Sequence, residues 1–407
     1  MTGPTTFSPL AHRAFLLILA GSLLANLGNQ AQAVGAAWLL TANGEPADVI
    51  ALVQTATNLP IMLLALPAGA WSDMFERRRI MLAALGAMLA LSLVLAAVDL
   101  AGHAPAAAII ALTALLACGI ACFSPAMNGS IGGVVPRVEL AAAVALALVG
   151  FNLARSLGPA IGGLIVAAGG AAAAFAASAL SYVLAIALFW RWRGVPAPPR
   201  EQRRPLGEMI GEGLRHALGS VPIRTIMVRS VSFTLTGAAA WALMPLVASD
   251  LLRQGSATYG LLLGSLGLGA VIGAVTSTRL RSRFAAEAIV RASGITYGMS
   301  CVLVALAPGL PAMMTLLVVA GAGWVQALSG FTVAGQMWAP RELVGRITAM
   351  VNSVTFGGIA LGAWLWGHFA ESHGVAAALI ASGLGMIVLP LLGLLLPMPA
   401  HEGTEAK

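Results

Sequence analysis

Charge is what this chain has least of. Asp, Glu, Lys and Arg make up 9% of 407 residues, against 59% hydrophobic. So little charge cannot cover a water-facing surface, which excludes an ordinary soluble domain; the apolar excess has to face lipid. A mean hydropathy of +0.91 agrees. Cysteine is nearly absent. Cys118, Cys122 and Cys301 each lie in an apolar run, which excludes a disulfide framework. Cys118 and Cys122 share a helix face and read as small packing residues rather than soft-metal ligands. There is no Walker loop, no H-E-x-x-H pair and no Ser/His/Asp set, and the six histidines are scattered, so nothing points to an enzyme. The net charge of +7 does not indicate nucleic acid, because the arginines form no stripe with aromatics.

What the chain has is long apolar runs, most of them uncharged and the rest holding a single arginine. A bilayer core of ~30 Å takes about 20 helical residues. Runs of that order lie at 14–40, 49–71, 80–98, 105–127, 141–167, 171–190, 225–248, 257–278, 288–307, 311–335, 344–369 and 375–397. The fifth and sixth divide at Ala168–Ala172, the ninth and tenth at Ala307–Pro311, and the fourth ends in the stretch from Phe123 to Pro136. Ala31-Gln32-Ala33 mimics a signal-peptidase site, but the uncharged run around it is too long for a signal core. With the N-terminus inside, every one of the 22 basic residues except Arg155 and Arg253 falls on the cytoplasmic side, while Glu45, Asp48, Asp99, Asp250 and Glu371 fall outside.

The chain also repeats itself. Gly69 has a counterpart 204 residues on, at Gly273, and at the same offset Arg77 maps to Arg281, Gly158 to Gly362 and Gly163 to Gly367. Pro136-Arg137 maps onto Pro340-Arg341 in the same way. One offset at four separated places indicates duplication. The expected layout is a six-helix bundle at 1–190, a linker at 191–222, a second bundle at 223–398 and a tail at 399–407. In the linker, Leu206, Met209, Ile210, Leu214 and Leu218 recur at helical spacing opposite Glu208, Glu212 and Arg215, as in an interfacial amphipathic helix.

Between the second and third spans stands GAWSDMFERRR, with Gly69, Asp73, Arg77 and Arg78 at the spacing of a signature loop. The fifth span carries Arg155-Ser156-Leu157-Gly158-Pro159-Ala160-Ile161-Gly162-Gly163. These segments resemble the major facilitator superfamily, in particular its drug-efflux and enterobactin-exporter-like branch. Met74 and Glu76 depart from the usual loop, Ser277 replaces the acid in the second half, and Ala154 stands for the first glycine of the antiporter pattern. The resemblance implies an all-α polytopic fold of twelve transmembrane helices in two pseudo-symmetric halves. It implies a monomer, working by alternating access on a small-molecule substrate in the bacterial inner membrane, with both termini cytoplasmic. It implies no cofactor, with the proton gradient as energy source. Gly69, Asp73, Arg77, Arg78 and Arg281 would form a cytoplasmic gate, and Arg155, Gly158, Pro159, Gly162 and Gly163 a hinge packed on the other half. An importer of a sugar or organic anion is the alternative, against which the antiporter-like span argues; a non-transporting receptor would need an added soluble domain.

Polar residues in lipid turn inward. Asn26, Gln30, Asn58, Asn152, Trp241, Gln326 and Asn352 are therefore expected along a substrate pathway. Arg155 is the one charge well inside a span. It either meets an anionic substrate, controls a coupling proton, or clasps backbone carbonyls or Asn152. No Asp or Glu lies at mid-depth in any span. That leaves a coupling carboxylate unidentified and favours a neutral, lipophilic or anionic substrate over an organic cation.

Overall fold

The computed structural model describes residues 7–102, 104–194, 206–306, 309–340 and 343–399, with the side chains of Asp73, Leu206, Met209 and Ile210 outside that description. Among the described residues the secondary structure is helical throughout. Among the described residues, ten helices are long and apolar enough to cross a membrane. They begin with α1 (Arg13–Ala42), α2 (Ala47–Met74), α3 (Arg77–Leu100) and α4 (Ala106–Ile131). The next, α5 (Leu140–Arg191), is 52 residues long and serves as two crossings. Its break falls at Gly169 and Gly170, where Gly170 takes φ 74°, a conformation glycine adopts without steric cost. The division expected from Ala168–Ala172 is therefore real. The fourth span ends at Ile131, within the expected stretch from Phe123 to Pro136, with Pro125 absorbed inside the helix.

The helix α6 (Leu206–Gly219) follows, then α7 (Val221–Gly237). Here the expected unbroken span 225–248 fails. The chain continues as two short pieces, α8 (Ala239–Ala242) and α9 (Met244–Leu246), and a π turn at Val247–Leu251. The reason lies in the last carbonyls of α7. Leu235 O accepts Trp366 Nε1 at 2.9 Å, Thr236 O accepts Ser382 Oγ at 2.6 Å, and Gly237 O accepts Tyr297 Oη at 2.6 Å. Side chains from three neighbouring helices thus satisfy the groups a helix end leaves open. The second half is completed by α10 (Ser256–Arg281), α11 (Ala286–Leu306), α12 (Leu310–Trp338), α13 (Val344–His373), α14 (Val375–Val388) and, beyond a turn at Pro390, α15 (Leu392–Leu395). Counting α5 twice and the α7–α9 run once, the layout accommodates twelve crossings.

Packing repeats with the sequence. In the first half α1 packs on α5, α2 on α4, and α3 on α4 and α5; in the second α7 packs on α13, α10 on α12, and α11 on α12 and α14. The paired glycines do paired work. Gly158 fits against Gln30 of α1, and Gly362 against Leu235 and Ala238 of α7 and its extension. Gly163 fits against Ser256 and Gly260 of α10, and Gly367 against Asp48 and Ala51 of α2. Within each pair, the first glycine lets two helices of one half approach and the second lets the halves approach each other. Of the repeated Pro-Arg segment, Arg341 lies outside the described residues.

Candidate functional site

The two halves meet along two seams, α2 on α13 and α5 on α10. The face carrying α6 is called here the linker face, and the opposite one the far face. At the far face the seams are tight. Glu371 Oε2 of α13 accepts the Ala47 amide of α2 at 2.7 Å, capping a helix of the other half, and Thr55 Oγ1 donates to Ala360 O at 2.8 Å. A Cβ at Gly163 would stand 2.5 Å from Ser256 O, and one at Gly260 would stand 2.6 Å from Pro159 O. Trp38 of α1 stacks on Tyr259 of α10 with centroids 6.2 Å apart.

Toward the linker face the same stripes emerge from contact. The α5 surface that touches α10 through Gly163, Pro159 and Ser156 continues to Val149, which is 63% exposed. The α10 surface continues from Gly260, Gly264 and Gly267 to Val275, 74% exposed. On α2 and α13, Gly69 and Gly345 face open space. The halves therefore form a V, closed at the far face and parted at the linker face. On that open side α6 lies against both α2 and α13, with Arg346 Nη1 2.5 Å from Glu212 Oε2.

The expected gate residues sit at the open end and bond within their own halves. Arg77 donates to Gly129 O of α4 and to Ser72 O. Arg78 donates to Phe189 O and Trp190 O, its guanidinium 5.5 Å from the centre of the Trp190 ring. Arg281 donates to Ser329 and Ser277, the counterpart of what Arg77 does in the first half. The side chain of Asp73 lies outside the described residues. The hinge segment divides its work: Gly158 and Gly162 face α1 within the first half, while Pro159 and Gly163 face α10 across the seam.

Arg155 stands at the vertex, near mid-length of the first limb of α5. Its carbonyl lies where the α5–α10 contact ends, beside Gly267. Its guanidinium carbon lies 5.0 Å from the centre of the Trp241 ring, across the seam. The clasp to Asn152 is not made: among the described residues no bond joins the Asn152 amide oxygen to Arg155, and its N–H donates to Leu148 O in its own helix. An Arg at this depth costs ~2.5–3.5 kcal/mol on the insertion scale, and a half-buried cation–π contact offsets about 0.5–2 kcal/mol of that. Trp241 reaches this place because the helix breaks at Gly237. Trp241 O lies 3.5 Å from Gln54 Nε2, and Asn58 in turn donates to Gln54 O at 2.7 Å.

The other expected pathway residues are dispersed. Asn26 donates to Ser22 O within α1, Gln30 packs on Gly158, and Asn352 is half-buried on α13. Gln326 is buried and donates to Gly273 O at 2.8 Å and Thr276 Oγ1 at 3.0 Å, tying α12 to α10 inside the second half. Two features escaped the sequence reading. The glycines of α10 at 260, 264 and 267 form a close-packing ladder, which their spacing of small residues would have revealed. A partly buried ion cluster joins the buried Arg229 of α7 to Glu287 and Arg291 of α11 and to the backbone at Leu396 and Met398. Of that cluster the residue spacing announces only the Glu287–Arg291 pair, four apart on one helix; Arg229 and the backbone at Leu396 and Met398 come from far along the chain.

Comparison with known proteins places this geometry. A family model described as transmembrane secretion effector matches residues 4–407. The multidrug efflux pump Tap of Mycobacterium tuberculosis is 28% identical over 400 residues, 94% of this chain and 93% of that protein. The enterobactin exporter EntS of Escherichia coli is 29% identical over 289 residues, 70% of this chain and 65% of that protein. Among solved structures, the nucleoside transporter NupG superposes with a TM-score of 0.73 at 12% identity, covering 95% of this chain and 99% of that one. A D-xylose-proton symporter gives 0.72 at 15% identity, covering 96% and 99%. At such identities these structures share the fold alone.

Proposed function

This chain belongs to the transmembrane secretion effector family of major facilitator transporters, and from that premise we propose that it exports small lipophilic or anionic compounds by proton-coupled antiport. It is a multi-pass membrane transporter and not an enzyme. The observation that carries the reading is the V-shaped seam. A cavity open on one face and sealed on the other, between halves that meet through glycine and serine, is what alternating access needs. The efflux names of the relatives along most of the chain support the outward direction. In this reading the linker face is the cytoplasmic one, because the basic residues gather there, and the membrane is the bacterial inner membrane.

Inverted membrane vesicles test it. A panel of lipophilic dyes and aromatic acids is expected to accumulate in vesicles holding the protein only while a proton gradient stands. Accumulation that ignores the gradient removes antiport, and depletion in place of accumulation reverses the direction.

Asp73→Asn tests the gate. In the open state Arg77 and Arg78 bond to backbone within their own half. Closing the linker face brings the two basic edges together, and an acidic group beside them stabilises that closure. The variant is expected to insert normally, by membrane yield and monodispersity, while transport falls roughly tenfold or more, as for loss of one charge-assisted tie of about 1.5–3 kcal/mol. Near-normal flux removes Asp73 from the gate.

A further inference from the structure

Arg155 is a cation without a counter-charge. Among the described residues no carboxylate pairs with it and no acceptor takes its N–H groups; its one partner is the face of Trp241. Stacking on a ring leaves the edge of a guanidinium free, with its five N–H donors in a planar fork. The residue is half-buried, not sealed, and stands where the opening from the linker face narrows to a point.

Its surroundings lack the same thing it lacks. The Trp241 indole N–H is buried with no acceptor. Gln54 turns its amide N–H toward the Trp241 carbonyl, and Asn58 donates to Gln54. Behind Trp241 the wall is aromatic: Trp324 lies 6.2 Å away, with Phe233 and Tyr297 beyond it at 5.4 and 5.2 Å from Trp324. Donors exceed acceptors, one flat ring, Trp241, faces the opening with three fully buried rings packed behind it, and no span carries an acid at mid-depth. A cation would meet repulsion here, and a neutral aliphatic would leave the fork unsatisfied.

Resting on the export reading above, we propose that Arg155 and Trp241 form a recognition site for planar aromatic anions. The carboxylate or phenolate of such a ligand accepts the paired N–H groups of Arg155, and its ring lies along the Trp241 wall. Because Arg155 belongs to the first half and Trp241 to the second, such a ligand touches both and senses their relative position.

Three isosteric probes test this on the purified full chain in lipid nanodiscs: 2-naphthoate, 2-naphthamide and 2-naphthylmethylammonium, followed by calorimetry. The anion is expected to bind roughly tenfold tighter than the amide, the difference a charge-assisted bidentate contact makes, with the ammonium weakest. Arg155→Gln is expected to bring anion and amide within about twofold of each other while amide binding, which reports an intact site, persists. Arg155→Lys, a point charge without the planar fork, keeps a smaller anion preference and serves should the Gln variant fail to fold. Trp241→Leu is expected to weaken all three probes. Equal binding of anion and amide to the wild type, or a preference that survives Arg155→Gln, overturns the proposal. Vesicle export of a neutral dye is measured alongside. Export without anion preference sinks this site alone, whereas anion preference without export leaves the site standing and sinks the export reading.

Discussion

Gly163→Val is expected to cut transport roughly tenfold or more and to leave the far face open. The argument is steric. A Cβ on Gly163 would stand 2.5 Å from the Ser256 carbonyl and 2.8 Å from Gly260 Cα, so the obstacle is backbone and cannot swing aside. Overpacking of this kind costs about 1–3 kcal/mol. Here the cost falls on one state only, the one in which α5 and α10 touch, so it shifts the balance between far-face-closed and far-face-open forms by roughly 5- to 150-fold. A cysteine replacing Ser256, which is 4% exposed in the closed form, reports the shift through an impermeant maleimide applied to the far side. The label is expected to react quickly in the Gly163→Val background and slowly otherwise. Equal protection in both backgrounds would show that this contact does not seal the far face.

The second large effect concerns stability. Arg229 is 3% exposed, and its guanidinium meets both Glu287 oxygens at 3.2 Å and the Leu396 carbonyl at 2.8 Å. Glu287 also accepts Arg291 Nε at 2.6 Å and the Met398 amide at 2.9 Å. The cluster pins the end of the twelfth crossing to α7 and α11. Glu287→Ala strands a buried cation and is expected to cost about 3–5 kcal/mol, as breaking a buried pair does. Thermal unfolding in detergent, with the exposed Glu208→Ala as control, reads it. Replacing both partners, Arg229→Met with Glu287→Met, is expected to recover most of the loss, because no charge is then left alone. A double variant as unstable as the single one would mean that the cluster acts by shape and not by charge.

The fold was legible because lipid imposes a simple rule on sequence. Apolar runs of the needed length, with at most one charge each, marked the crossings, and the glycine pair at 169–170 marked a break that propensity alone leaves ambiguous. The repeat was legible too, since Gly158 and Gly362, and Gly163 and Gly367, occupy corresponding contacts. Illegible was anything that depends on a partner brought from elsewhere in the chain. The seventh crossing reads as one apolar run, yet it breaks after Gly237 because Trp366, Ser382 and Tyr297 take its carbonyls. That break sets Trp241 beside Arg155, which is why the sequence showed both residues but not their meeting. Gln326 shows the converse. Its polarity suggested the pathway, whereas the fold uses its amide to join α12 to α10.

The α5–α10 seam is built from Ser156, Pro159, Ala160 and Gly163 on one side and Ser256, Gly260, Gly264 and Gly267 on the other. At these positions small residues face small residues, so they separate with few rotamers having to turn; at the far end the Trp38–Tyr259 stack parts with them. Little beyond dispersion attraction resists their parting, and it is recovered in full when they rejoin. Such a joint is quick. The slow step of the cycle is then expected to lie in release of the cargo or in water filling the gap it leaves.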